Sequence, residues 1–250
     1  MTSPPGAVAT RLREVVRRVE AAAIRAGRAP QEIALVGVAK QVAAEQVVEA
    51  VAAGLRHVGE NYANEARAKL PLVSAALDAR GLAWPRWHFI GQLQRNKARG
   101  VATAFDCVHS LDRPELGDAL ERHAAAAGRR LDVLLQVDLA GEPRKGGAAP
   151  DALPALLEAS ARWPSLRVAG LMTIPPAEAD PRPFFAALRA EREALRGRAG
   201  GAGLRELSMG MSGDFEVAIE EGATIIRVGT AIFGTRPQRA RAIAGEGERG

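Results

Sequence analysis

Cysteine is almost absent from this 250-residue chain, because Cys107 is the single example. A lone cysteine cannot form a disulfide within the chain, and its apolar neighbours indicate a buried, inert thiol. No stretch approaches the roughly 18 apolar residues of a membrane-spanning helix, and residues 1–6 lack the charged and apolar regions of a secretory signal. These absences predict a soluble, cytoplasmic protein with no membrane partner. We also expect no metal site.

Aromatic residues make up only 4% of the chain, so the core must consist mainly of Leu, Val, Ile and Ala. The formal net charge is +5, but basic and acidic residues alternate, as at Arg189, Glu191, Arg192 and Glu193. Alternation is typical of solvated helix faces, whereas a nucleic-acid site gathers its basic residues on one face. We therefore expect no nucleic-acid partner, and a basic nucleic-acid-binding module remains as an alternative.

Apolar segments of strand length alternate with helical patterns along the chain. Eight such segments occur, at residues 33–39, 57–59, 87–90, 106–109, 131–137, 168–172, 206–208 and 224–228. This alternation predicts parallel strands with right-handed crossovers, and eight units in 250 residues fit a closed (β/α)8 TIM barrel. No Gly-x-Gly-x-x-Gly follows the first strand, which disfavours a dinucleotide-binding fold. We predict an α/β protein with one barrel over residues 1–234, an extra N-terminal helix over 8–26, and a disordered tail over 235–250.

Lysine is also scarce, with four examples (Lys40, Lys69, Lys97 and Lys145) among 34 basic residues. Lys40 closes the apolar run at 33–39, where partial desolvation favours the neutral, nucleophilic amine. Arginine cannot form a Schiff base with an aldehyde, so a lysine retained here invites a chemical interpretation. The alternative is a strand-end lysine that extends its ammonium to solvent.

Glycines and hydroxyls follow the last two predicted strands. Residues 208–214 (SMGMSGD) follow strand seven, and Gly229 and Thr230 follow strand eight. Barrels often bind phosphate with these two loops, because small residues leave backbone N–H groups accessible. A reactive lysine and a phosphate site on one rim fit either pyridoxal 5′-phosphate or a sugar-phosphate carbonyl in an aldolase. Arg227, near the end of strand eight, is placed to face a pyridine nitrogen or a second anion.

Several stretches closely resemble the pyridoxal phosphate homeostasis proteins, a family similar to the barrel domain of alanine racemase standing alone. The matching stretches are 36–40 (VGVAK), 59–62 (GENY), 87–97 (WHFIGQLQRNK), 170–174 (GLMTI), 207–212 (LSMGMS) and 227–234 (RVGTAIFG). They occur in the family's order over roughly residues 8–235, and the stretches at 88–97 and 208–212 are highly specific. The resemblance implies a fold-type III pyridoxal phosphate protein.

The resemblance also implies roles for individual residues. Lys40 would carry the cofactor as an internal aldimine, and Arg227 would hydrogen-bond the pyridine nitrogen. The other implied cofactor-binding residues are Ser208, Ser212, Gly229 and Thr230 around the phosphate, Met209 beside them, and Asn61 and His88 near the ring. His88 also fits a core histidine with satisfied hydrogen bonds. The chain departs from the usual family pattern at Ala39, Asn64 and Asp138, which bears on fine hydrogen bonding around the cofactor and not on the aldimine.

The function implied is a non-catalytic carrier that binds, buffers and releases pyridoxal phosphate. An arginine only donates hydrogen bonds, so it leaves the pyridine nitrogen largely unprotonated and the ring a poor electron sink. Amino acids and apo-enzymes that depend on pyridoxal phosphate are the expected partners of such a carrier. A fold-type III enzyme, such as an amino-acid racemase, a decarboxylase or an aldolase, remains the alternative.

Overall fold

Eight parallel strands close into a barrel in their chain order, and β8 pairs with β1 to complete it. The computed structural model describes residues 6–142 and 146–235. The strands are Ala34–Val38 (β1), His57–Glu60 (β2), Arg86–Phe89 (β3), Cys107–Leu111 (β4), Leu131–Gln136 (β5), Leu166–Met172 (β6), Glu206–Ser208 (β7) and Ile225–Val228 (β8). The predicted α/β barrel is confirmed.

A helix follows every strand, as the alternation predicts. The helices are Ala7–Arg25 (α1), Ala44–Ala52 (α2), Ala63–Asp78 (α3), Ala98–Ala104 (α4), Pro114–Ala126 (α5), Leu153–Ala159 (α6), Arg182–Arg196 (α7), Phe215–Glu220 (α8) and Thr230–Phe233 (α9). The helical turn predicted at 94–99 continues further than expected, because a short 3-10 turn there leads directly into α4. Within the described residues, no helix has both the length and the apolar character needed to cross a membrane.

The extra N-terminal helix α1 is present and packs against α8, α9 and α2. Its N-terminus is held by Glu49 of α2, whose Oε1 accepts the backbone N–H groups of Val8 at 3.0 Å and Ala9 at 3.1 Å. Helix α9 has only four residues. Helix α1 therefore covers the side of the barrel that a full-length eighth helix would otherwise cover.

Most of the apolar core lies between the strands and the helices, and a smaller cluster fills the barrel interior. The register pairs Val36 of β1 with Arg227 of β8, and Gly59 of β2 with His88 of β3. Because all strands are parallel, their C-terminal ends form one rim, where active sites of this fold lie. The predicted tail falls outside the described residues, apart from Thr235.

Candidate functional site

A cleft of about 260 Å³ opens at this rim, beside the C-terminal ends of β1 and β8 and the loop after β7. Five of the nine predicted cofactor-binding residues line it: Lys40, Ser212, Arg227, Gly229 and Thr230. The other four residues lie 172 to 190 positions after Lys40 in the sequence, so it is barrel closure between β8 and β1 that brings the lysine to the glycine loops. The cleft thus combines one amine, one guanidinium and two hydroxyls.

The turn that carries Lys40 is held by a second lysine. Lys69 Nζ donates to the carbonyl oxygen of Ala39 at 2.7 Å, and also to Glu60 Oε1 at 2.7 Å and Glu65 Oε1 at 2.8 Å. On the other side of Lys40, the backbone N–H of Gln41 donates to the same Glu65 oxygen at 2.5 Å. We refer to Glu60, Glu65 and Lys69 as the Lys69 clamp, because it fixes the backbone on both sides of Lys40.

The backbone at this turn is unusual, since Gln41 has a φ of 58°. A non-glycine residue in the left-handed region is uncommon and persists only where its surroundings enforce it. The bond from Gln41 to Glu65 supplies such a constraint. The clamp therefore holds Lys40 in a conformation that the local sequence does not favour by itself.

Glu60 is fully buried within the clamp. Burial raises the pKa of its carboxyl to about 7, and the adjacent Lys69 ammonium opposes that rise. Its Oε2 atom has no hydrogen-bond partner among the described residues. The clamp therefore contains a carboxyl whose proton equilibrium lies close to neutral pH.

The glycine and hydroxyl loops face Lys40 across the cleft. The backbone N–H of Gly229 donates to Ser212 Oγ at 3.2 Å, and Asp214 Oδ1 accepts the N–H of Met211 at 2.5 Å. Gly210 has a φ of +90°, and a Cβ there would lie 2.5 Å from the Ala218 Cβ. Glycine is required at that position both for its backbone conformation and for space.

Arg227 points into the cleft from β8 while only 4% of the residue is exposed. Its Nη1 donates to Ser208 Oγ at 2.6 Å and its Nη2 donates to the carbonyl oxygen of Thr173 at 3.0 Å. Burial lowers the pKa of the guanidinium to about 10, with the charge of Asp214 opposing. Both of these hydrogen-bond acceptors are neutral, so neither cancels the positive charge that Arg227 presents to the cleft.

Four predicted residues do not line the cleft. Ser208 is fully buried, and its hydroxyl is held between Arg227 and His109 at 2.6 and 2.9 Å. Met209 is also fully buried, in the core between strands and helices. His88 lies in the barrel interior, with hydrogen bonds from both of its ring nitrogens to other histidines. This placement matches the alternative of a satisfied core histidine.

Asn61 lies in a neighbouring cleft of about 270 Å³, together with Asn64 and Lys97. Gly91 packs so closely on it that an added Cβ would lie 2.1 Å from the Asn61 carbonyl oxygen. The side-chain Oδ1 of Asn61 is buried and has no partner among the described residues. Asn61 thus offers an unused acceptor beside the rim.

Two of the three positions that depart from the family pattern, Ala39 and Asp138, have local structural roles. Ala39 is buried, and its carbonyl oxygen accepts the bond from Lys69. Asp138 Oδ1 accepts the N–H groups of Ala140 and Glu142, both at 3.1 Å, and so organises its own turn. Neither side chain is among those that line the Lys40 cleft.

The polar interior of the barrel is not apparent from the sequence. His57, His88 and His109 project inward from β2, β3 and β4 and are joined by hydrogen bonds of 3.0 and 2.9 Å. Each stands alone in its strand segment, so only the register between strands reveals that they meet. The one available signal is a single histidine in each of three successive strands.

Residues 11–237 match the family model described as "Alanine racemase, N-terminal domain". The chain belongs to this family. It is 44% identical to the pyridoxal phosphate homeostasis protein of Pseudomonas aeruginosa, covering 94% of this chain and 98% of that protein. The protein of the same name from Aquifex aeolicus is 42% identical, over 90% of this chain and 97% of that one. The predicted resemblance is therefore confirmed.

Solved structures of the family agree. The structure of PipY from Synechococcus elongatus PCC7942 with PLP bound has 38% identity and a TM-score of 0.76, covering 88% of this chain and 100% of that chain. PLP is pyridoxal 5′-phosphate, the cofactor that we predict from the sequence of the present chain.

Proposed function

We propose that this protein binds pyridoxal 5′-phosphate in the Lys40 cleft and serves as a non-catalytic carrier of the cofactor in the cytoplasm. The observation that carries the proposal is the meeting of Lys40 with Ser212, Gly229 and Thr230 in one cleft. A relative with 38% identity over its whole length is recorded with PLP bound. The names of the curated relatives support a role in pyridoxal phosphate homeostasis.

The residues present fit the three functional groups of the cofactor. Pyridoxal phosphate supplies an aldehyde, a phosphate dianion and a pyridine nitrogen. Lys40 offers the amine that captures an aldehyde, and the hydroxyls of Ser212 and Thr230 offer donors to a phosphate. Arg227 offers guanidinium donors to a ring nitrogen. We assign Asn61, with its unused Oδ1, to the edge of the ring.

The structure suggests a different role for Ser208 than the resemblance implies. Its hydroxyl is fully occupied by Arg227 and His109, both within 2.9 Å. Ser208 therefore holds the guanidinium of Arg227 in place, and its hydroxyl has no free proton to donate to a phosphate. We therefore propose that Ser208 positions Arg227, and that Ser212 and Thr230 carry the phosphate contacts.

Arg227 also supports the proposal that the protein is a carrier. A guanidinium remains charged and only donates, so it does not place a proton on the ring nitrogen. Without that proton the ring accepts electrons poorly, and breaking bonds at the Cα of an amino acid gains little help. The chain's one tyrosine, Tyr62, is 54% exposed and lines the neighbouring cleft rather than the Lys40 cleft.

Titration of the apo-protein with pyridoxal phosphate tests the binding site. We expect a visible absorption band for the unmodified protein and for Lys97→Ala, which removes an ammonium outside the Lys40 cleft. Lys40→Ala should abolish the band. A band of full strength in Lys40→Ala would overturn the site assignment.

Exchange of the Cα hydrogen of alanine for deuterium, measured with holo-protein in heavy water, tests the carrier proposal. We expect no multiple-turnover exchange. Exchange at roughly 1–10 s⁻¹, an ordinary enzymatic rate, would favour a racemase-like enzyme instead.

A further inference from the structure

A continuous line of hydrogen bonds runs through the barrel interior from its N-terminal end to the Lys40 cleft. His57 Nδ1 lies 3.0 Å from His88 Nε2, and His88 Nδ1 lies 2.9 Å from His109 Nε2. His109 Nδ1 lies 2.9 Å from Ser208 Oγ, which accepts the bond from Arg227 Nη1 at 2.6 Å. We call His57, His88, His109 and Ser208 the histidine relay.

The two ends of the relay face different openings. At one end Ser208 is bonded to Arg227, which lines the Lys40 cleft. His57, at the other end, is half-buried and lines a cleft of about 850 Å³ beside helix α1 at the N-terminal end of the barrel. Between them His88 and His109 are almost completely buried. The relay thus crosses the barrel interior, with solvent access at its base. There His57 and His88 line a small cavity together with the charged residues Arg86, Asp132, Arg167 and Glu206.

Arg227 determines the direction of the hydrogen bonds. A guanidinium can only donate, so Ser208 Oγ must accept from it. The other partner that the described residues give this hydroxyl is His109. Because a buried O–H group is rarely left without an acceptor, we assign the serine proton to the bond with His109 Nδ1. A neutral imidazole that accepts at one nitrogen donates from the other. His109 then donates from Nε2 to His88, and His88 donates from Nε2 to His57.

This donor–acceptor direction requires His88 and His109 to be neutral. Burial lowers the pKa of both His88 and His109 well below the ordinary value, so both rings are neutral near pH 7. Every ring nitrogen of these two residues is already in a hydrogen bond. Although Cys107 lies close enough to form a metal-ligand set with them, their nitrogens are committed to the relay.

We propose that the histidine relay is a set of positioning residues that couples the base of the barrel to Arg227. A change in the hydrogen bonding of His57 propagates through His88, His109 and Ser208 to the guanidinium that faces the cofactor. The inference rests on the proposed function for its effect on the cofactor, but the coupling itself belongs to the apo-protein.

Nitrogen NMR of the apo-protein labelled with ¹⁵N-histidine tests the coupling without any cofactor. The chain has four histidines, and the fourth, His123 on α5, lies outside the relay and serves as an internal control. We expect His57, His88 and His109 to be protonated at Nε2. Ser208→Ala should change the tautomer balance of His57, three hydrogen bonds away, and leave His123 unchanged. An unchanged His57 in the folded variant would overturn the relay.

A second variant examines the same coupling from the other end. His57→Gln lies at the accessible base, and it should shift the nitrogen signals of His109 even if Ser208→Ala fails to fold.

In the holo-protein, His57→Gln should weaken the affinity for pyridoxal phosphate by about 2- to 30-fold, the range found for energetic coupling between separated sites. The matched control His123→Gln should leave it unchanged. An affinity equal in both variants, with His109 signals unmoved, would contradict the proposal. Absence of cofactor binding by the unmodified protein would instead reject the proposed function.

Discussion

Replacing Lys69 with methionine should destabilise the protein, and more at pH 8 than at pH 5. Lys69 Nζ makes three bonds of 2.7–2.8 Å, to the Ala39 carbonyl oxygen, Glu60 and Glu65. Glu60 is fully buried, so the substitution leaves its carboxyl without its cationic partner. Removing one member of a buried ion pair typically costs about 3–5 kcal/mol.

The sign of the pH dependence follows from Glu60. Burial raises the pKa of its carboxyl from 4.5 to about 7, and Lys69 holds that pKa down. The folded protein therefore retains the proton more tightly than the unfolded chain, and this contribution to stability is lost as pH rises from the unfolded to the folded pKa. In Lys69→Met the folded pKa rises further, so the loss of stability continues to higher pH.

The size of the effect can be bounded. If Glu60 stays protonated in the folded variant, its cost relative to an unfolded carboxyl is about 5 kcal/mol at pH 8, against about 3 kcal/mol in the unmodified protein with its pKa of about 7. At pH 5 both costs are about 1 kcal/mol, so the substitution adds a loss of roughly 1–2 kcal/mol at pH 8 that is absent at pH 5. Urea unfolding of the apo-protein at these two pH values measures the difference. The matched control Lys97→Met removes an exposed ammonium and should change the free energy of unfolding by less than about 0.5 kcal/mol.

The same substitution should weaken binding of pyridoxal phosphate, because the backbone on both sides of Lys40 loses its support. A Lys69→Met variant that is as stable as Lys97→Met at pH 8, or one whose loss is equal at pH 5 and pH 8, would refute the reasoning about the clamp.

Three further variants test the loops opposite Lys40. Replacing Ser212 and Thr230 together with alanine should weaken cofactor binding roughly 100-fold or more, because each hydroxyl bond to a charged group contributes about 1.5–3 kcal/mol; equilibrium titration measures this, and unchanged affinity would place the phosphate elsewhere. Gly210→Ala should lower the free energy of unfolding by about 2–4 kcal/mol through its φ of +90° and the 2.5 Å approach to Ala218. Gly213→Ala, in the same loop with nothing within 4 Å of its added Cβ, should have little effect in the same urea unfolding experiment. Equal losses in the two glycine variants would contradict the packing argument.

Much of the fold follows from local pattern. The strand–helix alternation predicts every strand to within about two residues, since buried parallel strands read as short apolar runs. The lysine after β1 and the glycine loops after β7 and β8 are visible for the same reason. Their position at strand ends is a local property of the sequence, and the barrel topology then determines which ends are neighbours.

The features that the sequence does not reveal depend on contacts between distant residues. Lys69 resembles any solvent-facing lysine of a charged helix, and nothing near it indicates that it reaches the Ala39 carbonyl, 30 residues away. Ser208 sits in a phosphate-like motif, yet it contacts His109, 99 residues away, inside the barrel. Whether a residue at a strand end lies at the rim or in the barrel interior depends on the direction of its side chain. Successive side chains point to opposite faces of the sheet, so a shift of one residue reverses that direction.

The central claim is that Lys40 is the residue that holds the cofactor. Borohydride reduction of the holo-protein fixes bound pyridoxal phosphate to its lysine, and peptide mass mapping then locates the pyridoxyl group among the four lysines of the chain. We predict stoichiometric modification of Lys40. Modification of Lys69, Lys97 or Lys145 with Lys40 left unmodified would contradict it.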